Sequence, residues 1–127
     1  MTHYLPLLLI ALLIAACSST DPEEEPMLPE EVVIGTWQRI INQTEATLSI
    51  RDDGRYTVSY NTLTVEGEHQ INSNGHLVVQ DAGCGTFIGV YSMTFTDGER
   101  TLIFGMVDDN CVIRGERWRG GWSRVGQ

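Results

Sequence analysis

Between Trp37 and Val125 apolar and polar side chains alternate with a period of two, and turn signals break the alternation at the short intervals typical of an all-β chain. A strand sends successive side chains to opposite faces, so this pattern builds one buried and one solvated face; the 3.6-residue turn of a helix would scatter it. Trp37, Arg39 and Ile41 alternate with Gln38 and Ile40 in a first strand, and Leu48 and Ile50 alternate with Thr47, Ser49 and Arg51 in a second. Asp52-Asp53-Gly54-Arg55 then reads as a hairpin turn in which glycine supplies the positive φ. Tyr56, Val58 and Tyr60 come next on one face, opposite Thr57, Ser59 and Asn61.

The alternation continues with Leu63, Val65, Gly67, His69 and Ile71 against Thr64, Glu66, Glu68 and Gln70, after which Asn72-Ser73-Asn74-Gly75 turns the chain into a short strand from Leu77 to Val79. Beyond the Gly83-Cys84-Gly85 loop, Tyr91, Met93 and Phe95 share a face, and Asp97-Gly98 leads into Leu102, Phe104 and Met106. Asp108 to Arg117 reads as a polar connection with room for one helical turn, and Trp118 to Val125 as the closing strand. About eight short antiparallel strands laid flat would leave two unpaired edges, and closing the sheet removes them. The expected architecture is therefore all-β: a small antiparallel up-and-down β-barrel forming one domain over residues 32–127.

The amino end has a different character. Leu5 to Ile14 is an apolar run broken only by Pro6, and the small Ala15 and Ala16 stand directly before Cys17. The run is shorter than the roughly 20 residues that a membrane-spanning helix needs, and polar Ser18-Ser19-Thr20 comes directly after it, so residues 1–16 read as an export signal peptide. Ile14-Ala15-Ala16-Cys17 resembles the lipobox of bacterial lipoproteins, which implies lipid attachment at Cys17 and a membrane as partner. One departure is that Met1 to Pro6 offers no lysine or arginine. A buried helix ending in a structural cysteine is the alternative, weakened by the composition of residues 17–31. These hold Pro22, Pro26 and Pro29 among Asp21, Glu23, Glu24, Glu25, Glu30 and Glu31, too few apolar groups to offset ordering, and read as a flexible tether.

With Cys17 assigned to lipid, Cys84 and Cys111 remain, and an exported domain in an oxidising compartment can join them. Closing a loop of about 28 residues would contribute on the order of 3 to 4 kcal/mol in the chain-entropy estimate. The formal charge of −9 is mostly tether: removing its six acids from the 17 leaves eleven against eight arginines. Mild acidity without an arginine run disfavours nucleic acid as a partner. The chain has no lysine, which excludes Schiff-base lysine chemistry and Walker-type phosphate binding.

Gly35-Thr36-Trp37 in the first strand, with Trp122 and Arg124 in the last, resembles the lipocalin or calycin superfamily. The likeness spans Val32 to Val125 and extends to the Asp-Gly hairpin, Cys84, Gly89 to Tyr91 and Asp109-x-Cys111-x-x-Arg114, as in small bacterial lipocalin-like lipoproteins. It implies that Trp37 lies across the barrel floor beneath a basic side chain, Arg124 first and Arg119 second. The domain is shorter than a typical lipocalin, and short strands enclose a narrow interior that side chains alone can fill.

Tyr56, Tyr60, His69, Tyr91, Met93 and Phe104 are the candidate pocket residues, with Phe95 and Met106 on the same faces; such side chains are what any small barrel needs as core, and core is the favoured reading of each. His69 is either a satisfied core histidine or a polar contact inside a pocket. Metal is not expected: His69 and His76 flank a turn without a third ligand, and Asp108, Asp109 and Asn110 lack the ladder of a calcium loop. Arg114 is expected to bond loop carbonyls or Asp109 near the disulfide. No nucleophile elbow or cysteine–histidine pairing is visible, Glu66 and Glu68 face solvent, and neither catalysis nor a cofactor is expected. Two functions remain. The favoured one is an envelope-anchored barrel, at the outer membrane where the organism has one, holding a small apolar or amphipathic ligand between its strands. The other is a packed barrel acting through its surface, near Gly83 to Ile88, as inhibitor or assembly partner of another envelope protein.

Overall fold

The computed structural model describes residues 28–126; the expected signal peptide, Cys17 and most of the expected tether lie outside the described residues. Eight antiparallel strands close into a barrel in sequence order, β1 through β8, with β8 returning to β1. They are β1 Gly35–Ile41, β2 Thr44–Ile50, β3 Arg55–Tyr60, β4 Leu63–Ile71, β5 Leu77–Asp81, β6 Gly89–Thr96, β7 Thr101–Asp108 and β8 Gly120–Arg124. A one-turn helix, α1 (Pro29–Val32), precedes β1 and occupies the end of the expected tether; a two-turn helix, α2 (Val112–Trp118), precedes β8. No helix among the described residues is long and apolar enough to cross a membrane.

The expected alternation holds in β2, β3, β5 and the first half of β7, whereas Leu63 at the start of β4 and Met106 beside the bulge in β7, both expected inward, are 44 % and 45 % exposed. Leu48 and Ile50, Tyr56 and Val58, Leu77 and Val79, and Leu102 and Phe104 are buried, while Thr47, Thr57 and Ile103 between them are not. The Asp52–Arg55 and Asn72–Gly75 turns form where expected, Gly54 and Gly75 taking φ of 82° and 76°, and Asp53 Oδ1 and Asn72 Oδ1 accepting backbone N–H bonds inside them. Asn42-Gln43 and Asn61 also adopt positive φ, and they form turns where the sequence pattern assigns none or extends a strand.

Trp118 departs from expectation. It is the last residue of α2 rather than the first of the closing strand, which begins at Gly120. The helix turns its indole into the barrel, where it meets Tyr56 edge-on at 5.1 Å, stacks on Tyr91 at 5.6 Å and leans on Phe104 at 5.2 Å. Period-two reasoning cannot detect this, because an indole at the end of a short helix carries no alternation. The result is an interior filled by aromatic rings.

The two helices close opposite ends of the barrel with the same device. Gly35-Thr36-Trp37-Gln38-Arg39 in β1 and Gly120-Gly121-Trp122-Ser123-Arg124 in β8 are antiparallel neighbours, with Trp37 opposite Arg124. Each arginine covers the other strand's indole: the Arg124 guanidinium carbon lies 4.1 Å from the Trp37 ring centre, and that of Arg39 lies 5.4 Å from Trp122. Each indole N–H donates to the carbonyl four residues back, Trp37 to Val33 at 2.9 Å and Trp122 to Trp118 at 3.0 Å. Arg124 also binds the Val32 and Ile34 carbonyls beside α1, and Arg39 the Arg117 and Arg119 carbonyls at the end of α2. Each glycine makes room for the other motif's arginine. A β-carbon at Gly35 would lie 2.8 Å from Arg124 Nη1, one at Gly120 would lie 3.2 Å from Arg39 Nη1, and both residues have positive φ. Arg119, the second choice to cover Trp37, is instead exposed at the end of α2.

Candidate functional site

The most elaborate polar arrangement sits at the α2 end. Arg114, 2 % exposed, donates from Nε and Nη2 to the two oxygens of Asp109 at 2.7 and 2.8 Å, from Nη1 to Asp81 Oδ2 at 3.3 Å, and from Nη2 to the Phe87 carbonyl at 2.9 Å. Tyr56 donates its hydroxyl to Asp81 Oδ2 at 2.5 Å, and Tyr91 donates to Asp109 Oδ2. Tyr56 reaches Asp81 by crossing Gly67, where a β-carbon would collide with its ring.

Burial first, and then the adjoining carboxylate, push both tyrosine hydroxyls far above their ordinary range, so both remain donors. Burial also opposes ionisation of Asp109, but hydrogen bonds from Arg114, Tyr91 and the Cys111 N–H outweigh it and hold the carboxyl below its usual range. Burial likewise opposes the charge on Arg114, and Asp109 and Asp81 more than restore it. No buried side-chain nitrogen or oxygen among the described residues is left without a partner. A network so fully satisfied is a lock on geometry, and nothing in it is open to a substrate.

What the network locks is the surface above it. Cys84 and Cys111 are disulfide-bonded, with Cα atoms 5.7 Å apart, tying the β5–β6 loop to the start of α2. Arg114, on α2, is tied to the same loop again through the Phe87 carbonyl, and Asp109 holds its guanidinium in place. Phe87 and Ile88 on that loop, Val107 at a bulge in β7, and Val112 and Ile113 in the first turn of α2 are 51 to 69 % exposed. Asp108 and Glu116 flank them, and both are exposed.

Of the candidate pocket residues, the structure brings Tyr56, Tyr91 and Phe104 together around Trp118, all of them buried. Tyr60 and Met93 pack against the same core, and the Tyr60 hydroxyl donates to the Ile41 carbonyl at 3.3 Å. His69 stands apart and half-buried, its Nε2 2.7 Å from the Arg51 carbonyl. It borders a cleft of about 400 Å³ over β4 and β5, and another of about 580 Å³ between α1 and β4. Trp37, Tyr56, Tyr91 and Trp118 border neither. Asp81 is the residue that the alternation pattern did not single out. It continues the inward phase of Leu77 and Val79, and an inward carboxylate requires a partner.

Among the described residues no group of three or more histidine, cysteine or acidic side chains is placed to hold a metal. The arrangement defines a class, the closed eight-stranded antiparallel barrel with a packed interior. A solved structure of the same fold is that of Treponema pallidum pallilysin, which aligns with a TM-score of 0.59 and 12 % identity over 78 % of this chain and 85 % of that one. At that identity the likeness is one of fold. No family model and no curated protein matches the chain.

Proposed function

We propose that this protein is an exported, lipid-anchored binding module that docks another protein of the cell envelope through the apolar face at the α2 end. The observation that carries the reading is the pairing of a filled interior with an exposed apolar face that a disulfide and a buried arginine hold in shape. The sequence favours a ligand carried between the strands, but Tyr56, Tyr91, Phe104 and Trp118 occupy that space with one another. The surface-acting alternative is the better supported. Monomeric proteins rarely expose clustered apolar side chains without a use for them, and a pre-ordered face loses little entropy on docking. Asp108 and Glu116 beside the patch favour a partner with an apolar centre and a cationic rim. This is a binding role, and it requires no chemical step.

Site-specific photo-crosslinking in the native envelope tests it. A photoreactive phenylalanine analogue at Phe87 or Ile113 is expected to give one discrete protein adduct, whereas the same analogue at Ile40, exposed on the outside of β1, gives none. No adduct at the patch, or equal adducts at Ile40, would overturn the reading. The anchor is tested separately: a clickable fatty acid should label the chain in cells, and Cys17→Ala should abolish the label.

A further inference from the structure

The cleft between α1 and β4 has a chemistry that the docking face does not share. Its volume is about 580 Å³, within the range of small-molecule sites. Ile34 and Ile71 supply an apolar lining over the buried Val33, and Gly54 has no side chain to fill the space. Glu30, Glu31 and Asp52 border the same space, and no arginine does.

None of these three carboxylates has an ion-pair partner among the described residues. Arg51 pairs with Asp53 at 3.5 Å, and Arg124 binds the Val32, Ile34 and Glu99 carbonyls while covering Trp37. His69 lines the same cleft. Its Nε2 lies 2.7 Å from the Arg51 carbonyl, which can only accept, so Nε2 donates there and the ring is held at the edge of the cleft.

We infer that this cleft binds an amphipathic cation, a ligand with an apolar chain and a terminal amine. The apolar lining removes the chain from water, and the carboxylates attract the ammonium and discriminate against anions of the same length. The site shares no lining residue with the proposed docking face, and neither reading depends on the other.

Decylammonium, decanoate and ethylammonium are the probes, titrated into the isotopically labelled full chain and followed by amide chemical shifts. Decylammonium is expected to give saturable shifts centred on Val33, Gly54, His69 and Ile71, decanoate none there, and ethylammonium binding at least about tenfold weaker for want of the chain. The triple variant Glu30→Gln, Glu31→Gln, Asp52→Asn should bind decylammonium roughly tenfold more weakly, with amide shifts elsewhere unchanged as the check on folding. Equal binding of decanoate, shifts centred instead on Phe87 and Ile113, no saturable shift, or full affinity in the triple variant would each overturn the assignment.

Discussion

Replacing Arg114 with methionine keeps most of the side-chain volume and removes the charge and every hydrogen bond that the guanidinium makes. Two carboxylates then remain at a buried position without a cation, since the Asp81 and Asp109 side chains are 5 % and 0 % exposed. Breaking a buried pair from one side costs about 3 to 5 kcal/mol, much of it the penalty of the orphaned charge. Against a typical domain stability of about 5 to 15 kcal/mol this is a large fraction, and a domain of this size should lose roughly 15 to 30 °C in Tm. Urea unfolding followed by tryptophan fluorescence, with the disulfide kept oxidised, measures it directly, because Trp118 stacks on Tyr91 inside the same cluster. The pH dependence supplies a second reading. The Asp109 carboxyl is held below its ordinary range when folded, so its contribution is present above the unfolded pKa of about 3.9 and is lost as pH falls through the lower folded value. The gap between the wild-type protein and Arg114→Met should therefore be widest near neutrality and narrow at acid pH. Adding Asp109→Asn to Arg114→Met should recover part of the loss. A cost under about 1 kcal/mol at neutral pH would refute the reasoning, because surface pairs alone cost that little.

The same geometry sets other outcomes. Cys84→Ser with Cys111→Ser should lower stability by about 3 to 4 kcal/mol in urea titration, and hydrogen exchange should quicken first in the β5–β6 loop and the start of α2. Gly35→Ala and Gly120→Ala should each destabilise by about 1 to 3 kcal/mol, since both sites combine positive φ with an arginine in close approach; Gly121→Ala, with open space around its β-carbon, should cost much less in the same assay. Phe87→Ser and Ile113→Asn should leave stability within about 0.5 kcal/mol while removing the crosslinked adduct, which separates a docking face from a structural one.

The sequence alone determined the strand class, most of the turns and most of the inward faces, because these are local consequences of period-two alternation and of residues that tolerate positive φ. The disulfide was legible for a related reason, as two cysteines remained once a third was assigned elsewhere. The Asp109–Arg114 bond was legible too, being only five residues apart. The tertiary structure decided whether the tyrosines line a pocket or make a core. An inward side chain looks the same in sequence either way, and the answer depended on Trp118 being carried into the barrel by a helix that alternation cannot reveal. It also joined Asp81 to Arg114 across 33 positions, and it set the Trp37–Arg39 and Trp122–Arg124 motifs against each other by closing β8 onto β1. Contacts of that kind arise from ring closure of the sheet, a property of all eight strands together that no single segment encodes.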